Sequence, residues 1–245
     1  MIANRGTIAR AGAAATGLLT KLSLPHSSPR RSWLYRVLAV SILTAIPMVA
    51  VVSPALAYNG PQAASYADQF ALSYNGSFPR FNDDCTNFVS QAVNYGGYSM
   101  HPTPNDQSTS NDAYWFVLYP GYLQSWSHSW SVVQDYWYWL IGQNPGGTQE
   151  GSFSYNNGHN RAPAFTPNSV VTGDVLFYDW GTGLGISHVS MQVGSGTDQY
   201  GYYGNWVDAH TSGRKHIFWT LKDSPGNTNW MTTTVWYMHI WASNN

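Results

Sequence analysis

The chain has 245 residues, of which only 9% are charged whereas 16% are aromatic. Six of the eleven Lys and Arg residues and none of the twelve Asp and Glu residues lie in the first 57 positions, so residues 58–245 carry a formal charge of −7. This balance excludes a nucleic-acid partner, because phosphate binding requires clustered basic side chains. Residues 58–245 are enough for one domain with a substantial core.

The first 57 residues have the pattern of an export signal. A basic region precedes the apolar stretch VLAVSILTAIPMVAVV, and SPALA follows, ending at Ala57. This order is typical of a cleavable signal peptide. The apolar stretch is short for a membrane-spanning helix and contains Pro47. We expect cleavage near Ala57, a secreted, extracellular or cell-wall location, and no stable membrane insertion afterwards. The pair Arg30 and Arg31 leaves the general and the twin-arginine export pathways both open.

Three helices are predicted in the first half of residues 58–245. Residues 61–74 open with a proline and carry apolar residues at helical spacing. A second helix begins at Cys85, whose spacing from Phe88 and Val89 defines one apolar face, and it ends at Gly96. Asp83 or Asp84 is the expected N-cap. Residues 101–130 look irregular, and SVVQDYWYWLIGQ at 131–143 predicts the third helix.

The last third of the chain changes from helical to strand periodicity. A loop rich in glycine and asparagine is expected up to about residue 168. Five runs rich in β-branched and aromatic residues then follow, separated by turn residues: DVLFYDW, HVSMQVG, WVDAH, KHIFWTL and TTTVWYMHIW. Helices followed by strands predict an α+β single domain, in which the N-terminal helices pack on a small antiparallel sheet.

Cys85 is the only cysteine in the sequence. In an exported protein, a thiol without a partner is buried and inert, joined to another chain, or a nucleophile. A position at the start of a helix favours the nucleophile, because free backbone N–H groups and the helix dipole stabilise a thiolate. The same N–H groups can hold an oxyanion.

Two histidines lie where a catalytic base and its orienting group would be needed. His188 begins the polar face of a predicted strand whose other face carries Val189 and Met191. On the next strand, Asp208 and His210 share a face. If the two strands form a hairpin, His210 can lie beside His188 and orient its ring, as in nucleophile–base–orienter sites. Asp208 is the alternative third residue.

These residues also carry a family resemblance. FPRFNDDCTNFVSQAVNYGG, then GDVLFYDW with ISHVSMQVG, and finally AHTSGRK resemble an amidase domain of secreted bacterial proteins, which is similar to the NlpC/P60 and CHAP groups of papain-like cysteine peptidases. The resemblance spans nearly all of residues 58–245. It implies a papain-like fold with Cys85 as nucleophile, His188 as general base and acid, and His210 as the third polar residue. Related peptidases supply an oxyanion donor from a residue before the cysteine, for which Tyr74 is the candidate here.

The function expected from this reasoning is a secreted cysteine amidohydrolase acting on a peptide or peptidoglycan-like amide through a thioester. Two alternatives stay open: an acyltransferase with the same Cys–His pair, and a non-catalytic, aromatic-rich glycan-binding module. Asp84 is expected to fix the turn that presents Cys85. The histidines show no metal-ligand spacing, so we expect neither a metal nor a cofactor. The sequence does not indicate the oligomeric state.

Overall fold

The computed structural model describes residues 57–101, 113–119, 124–142, 146–225 and 227–241. Apart from Ala57, the predicted signal peptide lies outside the described residues. The described helices are α1 (Gly60–Phe70), α2 (Cys85–Tyr95), α3 (His128–Ser131) and α4 (Val133–Ile141), with one 3-10 turn at Trp230–Thr232. The strands are β1 (Val117–Leu118), β2 (Ser125–Trp126), β3 (Gly147–Ser154), β4 (Val175–Asp179), β5 (Ile186–Thr197), β6 (Tyr203–Ala209), β7 (Arg214–Phe218) and β8 (Thr234–Ile240).

The fold is α+β, as the sequence predicts. Six strands form an antiparallel sheet in the order β3-β8-β4-β5-β6-β7, while β1 and β2 form a separate two-stranded pair. Helices α1, α2 and α4 all contact β5 near the middle of the sheet. Within the described residues, no helix combines the length and the apolar character that crossing a bilayer would require.

The helices form for the reasons given by their sequences. At the start of α1, the Asn59 side chain accepts a hydrogen bond from the Gln62 N–H at 3.0 Å, and Pro61 occupies the first turn. The helix then buries Ala63, Tyr66 and Ala67. It ends at Phe70, four residues before the predicted end.

The sheet is covered on both faces. The first, which we call the helix face, packs against α1, α2 and α4 and contributes these strand residues to the core: Val175, Phe177, Val189, Met191, Met238 and Ile240. The second, which we call the opposite face, packs under the segment after β7 and contributes Leu176, Tyr178, Val207, Ile217, Val235 and Tyr237. Because side chains alternate along a strand, residues adjacent in sequence lie on different faces.

Strand β3 is the main error in the predicted elements. Residues 144–168 are expected to be a loop, yet Gly147–Ser154 pairs with β8 along its whole length. The glycine and serine content hides this strand, and its hydrogen bonds come from a partner nearly ninety residues later. A bulge between Gln149 and Gly151 interrupts the ladder, and Gly151 has a φ of 119° that favours glycine.

Candidate functional site

Cys85 is the first residue of α2 and is buried, with 6% of its surface exposed. Its sulfur lies 3.8 Å from the Thr86 hydroxyl oxygen. The backbone N–H groups of Val189 and Thr86 also interact with it. The contact with Val189 places the thiol beside β5, next to the peptide group that joins His188 to Val189.

Burial raises the pKa of the Cys85 thiol above its ordinary value. The N–H groups of Val189 and Thr86 act in the other direction but are smaller effects, and the Asp83 carboxylate adds to the increase. Burial therefore opposes the thiolate that the helix start favours. The helix start is present, but the cost of placing an anion in a dry interior is the larger effect.

Asp84 occupies the N-cap position of α2, as predicted, but its side chain does not cap the helix. Its carboxylate oxygen Oδ1 accepts hydrogen bonds from the Phe81 N–H and the Asn87 side-chain amide, both at 2.9 Å. The Asp84 N–H donates to the Thr211 hydroxyl at 3.0 Å. Because the other oxygen points at His210, this fully buried carboxylate joins the loop before α2 to the turn after β6.

His210 is held between two hydrogen-bond acceptors. Its Nδ1 lies 2.6 Å from Asp84 Oδ2, and its Nε2 lies 2.8 Å from the Phe70 carbonyl oxygen at the end of α1. The ring stacks on Phe88, with 4.1 Å between ring centroids. An imidazole satisfies two acceptors only as the doubly protonated cation, unless the Asp84 carboxyl itself carries a proton.

His188 has the reverse environment. Its Nε2 lies 3.0 Å from Nη1 of Arg214, which can only donate, so Nε2 accepts and the ring is neutral with its proton on Nδ1. Burial, and then the charge of Arg214, lower the pKa of His188 well below its ordinary value. The ring stacks against Trp180 at 5.5 Å and also contacts Tyr178.

The structure does not bring His188 and His210 together, although β5 and β6 do form the predicted antiparallel hairpin. Asp208 pairs with Met191, and continuing that register by two residues brings His210 level with Val189. His210 therefore lies on the helix face, whereas His188 lies on the opposite face beside Tyr178. Strand alternation separates the two rings, so His210 does not orient His188.

Arg214 is the residue that sequence reasoning missed. It begins β7, is buried, and also donates through Nη2 to the Pro225 carbonyl. Burial lowers the pKa of Arg214, while Tyr178 and the Cys85 sulfur act in the opposite direction. A guanidinium that interacts with Cys85 stabilises the thiolate, and this effect is weak as long as the thiol keeps its proton. The only sequence signal is its place in AHTSGRK, just after His210.

The other two candidate residues occupy different places. Tyr74 is 43% exposed and lies over the His210 ring at 4.8 Å, with the Arg80 guanidinium 3.8 Å from its own ring centre. It thus flanks the site from the solvent side. Asp208 is fully buried, and its Oδ1 accepts the His216 N–H at 2.7 Å, so its partners lie away from His188.

Comparisons with known proteins agree with an amidase-like chain. The model of a family described as "Putative amidase domain" matches residues 57–236. The uncharacterized protein YhbB of Bacillus subtilis is 26% identical over 176 residues, which are 71% of this chain and 48% of that protein. The chain thus spans about half the length of this curated relative. No solved structure matches, so the papain-like topology and the NlpC/P60 likeness stay predictions. Because the family model covers most of its length, the chain belongs to the Putative amidase domain family.

Proposed function

We propose that this protein hydrolyses an amide bond with Cys85 as the nucleophile. The family description supports amide hydrolysis. The observation that carries the cysteine mechanism is the position of Cys85 at the start of α2, beside the Val189 N–H, together with the neutral ring of the preceding residue His188, which accepts from Arg214 Nη1 at 3.0 Å. A thiol, a cation and a neutral imidazole are the groups that nucleophilic acyl transfer needs.

The start of α2 is the proposed place for the substrate carbonyl. The N–H groups of Thr86 and Val189 act on the sulfur and favour negative charge there. One backbone N–H at a helix start and a second on the neighbouring strand β5 are suited to hold the oxyanion of a tetrahedral intermediate. Tyr74, on the solvent side of His210, is the proposed side-chain contribution to the same site.

His188 is the proposed base, and activation requires its ring to move. Its lone pair at Nε2 accepts from Arg214 in the described state and is therefore occupied. The Cys85 sulfur interacts with the N–H of Val189, so the backbone that carries His188 already lies beside the thiol. Because the ring lies on the opposite face of the sheet, we propose that substrate binding releases it from Arg214 and lets it reach the thiol past the start of β5, and that the released guanidinium stabilises the thiolate.

The chemical steps then balance with water as the second substrate. His188 takes the thiol proton, the sulfur forms a bond to the carbonyl carbon, and the carbon–nitrogen bond breaks as His188 returns the proton to the leaving amine. Water next attacks the thioester carbonyl carbon and gives one proton to His188, so the acyl group leaves as a carboxylic acid. The carbon–sulfur bond breaks and the sulfur recovers its proton. The acyltransferase alternative replaces this water with an amine.

The substrate and location proposed here come from the sequence. A leader over residues 1–57 favours action outside the cell or in the cell wall, on a peptide or peptidoglycan-like amide. The mature protein is expected to begin near Tyr58. Mass spectrometry of the protein recovered from the culture medium tests this expectation, and retention of the full 245 residues would contradict it.

The first experiment asks whether new amines appear in a thiol-dependent way. Secreted wild-type protein is incubated with soluble peptidoglycan fragments, and free amino groups are counted with an amine-reactive dye. Cys85→Ser and Cys85→Ala should release none, whereas His159→Ala, a change of an exposed loop histidine, should match the wild type. Release by Cys85→Ala at the wild-type rate would overturn the proposal. Products that incorporate an added amine would identify the acyltransferase.

A cavity under the opposite face supports a second candidate function, the glycan-binding module. It measures about 480 Å³, and its lining includes five aromatic and two basic side chains: Tyr155, Tyr202, Tyr203, Phe218, Trp230, Arg161 and Lys222. The Lys222 ammonium lies 4.3 Å from the Trp230 ring centre. Aromatic walls with a few polar groups suit a sugar ring. If Trp230→Ala abolishes glycan binding and Cys85→Ala does not, glycan binding is a function separate from hydrolysis.

A further inference from the structure

Three side chains distant in sequence meet between α1 and the last strands of the sheet. Asp68 belongs to α1, Asp208 to β6 and His216 to β7. One ligand atom from each lies within 4.8 Å of the other two. The sequence predicts no metal, because the histidines show no metal-ligand spacing.

The Asp208 carboxylate is incompletely satisfied. Its Oδ1 accepts the His216 N–H at 2.7 Å, whereas Oδ2 is buried and has no hydrogen-bond partner among the described residues. A buried carboxylate oxygen without a partner is costly and calls for a proton or a cation.

The other two groups are placed to complete a ligand set. His216 Nε2 lies 2.5 Å from Asp68 Oδ1, and its ring stacks on Trp206 with 4.5 Å between centroids and 8° between planes. The Asp68 and His216 side chains are 41% and 36% exposed, so an ion can reach them from solvent. The Lys215 ammonium lies 3.7 Å from Asp68 Oδ1 and competes with a cation there, but two carboxylates outweigh its single charge.

We propose that Asp68, Asp208 and His216 bind one first-row divalent cation, Zn²⁺ or Mn²⁺. An imidazole nitrogen with two carboxylates suits these ions, whereas Ca²⁺ prefers six to eight oxygen ligands. The exposed side of the site leaves room for water as the remaining ligands. Binding requires a small shift of the His216 ring from Asp68, since two ligand atoms 2.5 Å apart are too close to share one ion comfortably.

The ion would have a structural role. It joins α1 to β6 and β7, and His210 likewise joins the end of α1 to the turn after β6 through the Phe70 carbonyl. Asp208 lies two residues before His210, so the ion would support the turn that holds Asp84. This role is independent of the proposed hydrolysis.

The test is metal titration of untagged, chelator-treated protein by calorimetry, with thermal unfolding in parallel. Zn²⁺ or Mn²⁺ should bind with one saturable equivalent and raise the melting temperature, and Ca²⁺ should do neither. Asp208→Asn and His216→Gln should each weaken binding at least about tenfold. His159→Ala is the control for adventitious zinc on exposed histidines and should bind like the wild type.

Two results would overturn the proposal. One is the absence of saturable Zn²⁺ or Mn²⁺ binding to the wild type, and the other is equal affinity in wild type, Asp208→Asn and His216→Gln when circular dichroism shows that all are folded. Either result would leave a proton shared by Asp208 and Asp68 as the explanation of the buried oxygen. Asp208→Asn would then be at least as stable as the wild type in metal-free buffer.

Discussion

The two faces of the sheet each hold one buried histidine, and the two rings differ in what surrounds them. On the helix face, both nitrogens of His210 meet acceptors, Asp84 Oδ2 and the Phe70 carbonyl. On the opposite face, the described partner of His188 is a donor, the Arg214 guanidinium. The first environment offers hydrogen-bond acceptors to both ring nitrogens, whereas the second offers a donor to Nε2. Only the second ring is neutral, and it becomes a candidate base once its Nε2 is released from Arg214, so hydrogen-bond partners rather than residue type separate the two histidines.

The largest expected effect distinguishes the two rings by activity. If His188 is the base, His188→Ala should lower kcat/KM by roughly 10²- to 10⁴-fold, the usual contribution of general acid–base catalysis. The measurement is amine release from the substrate found with the wild type, with His159→Ala as the matched histidine control. Activity within a factor of about two of wild type in folded His188→Ala would exclude the ring as the base.

The next effect concerns stability on the helix face. Asp84→Ala leaves His210 buried without its charged partner, and breaking a buried pair typically costs about 3–5 kcal/mol of unfolding free energy. Urea unfolding of wild type, Asp84→Ala, His210→Ala and the double variant measures this cost. We expect the double variant to lose less than the sum of the single losses, because each of the three variants removes the same Asp84–His210 interaction. Fully additive losses would show that the pair is not coupled.

Much of this architecture could be predicted from local patterns. Helical spacing identified α1, α2 and α4, and β-branched runs identified the strands from β4 to β8. Strand β3 could not be found this way, because Gly147–Ser154 becomes a strand through hydrogen bonds to β8 rather than through its own composition. Local periodicity reports which face is buried, whereas pairing between distant segments depends on the whole fold.

The candidate site was less predictable, for reasons that particular residues illustrate. The alternation of His188 with Val189 was visible in the sequence, but the predicted hairpin placed His210 beside His188, whereas the observed register puts His210 on the helix face. The partner of Asp84 was not visible, because a residue 126 positions later outcompetes the local role of a helix cap. Arg214 lacked a motif of its own. Its importance comes from burial and from the neutral ring that it contacts.

A smaller effect should appear in the reactivity of the thiol. Because burial raises the pKa of Cys85, iodoacetamide should alkylate it more slowly than it alkylates N-acetylcysteine near neutral pH. The alkylation rate of Cys85 should still increase with pH at values where the rate for N-acetylcysteine has become constant. His188→Ala should alter this profile little, since the ring is bound to Arg214 in the described state. Unfolded protein in urea provides the ordinary-thiol control. A fast, pH-independent rate below neutrality that His188→Ala abolishes would instead reveal a resting thiolate–imidazolium pair.

The smallest expected effect is on the pKa of the His188 ring. The pKa of His188 is lowered first by burial and second by the Arg214 charge, so Arg214→Met, which keeps a long side chain but removes the charge, should raise the pKa only part of the way back to its ordinary value. Titration of the His188 ring by NMR measures this shift, and Lys215→Met controls for the loss of one nearby positive charge. If Arg214→Met leaves the His188 titration unchanged while Lys215→Met moves it, then the neutral state of the ring does not depend on the guanidinium. If Arg214→Met raises the pKa of His188 and Lys215→Met does not, then Arg214 keeps the base free of its proton until the thiol delivers one.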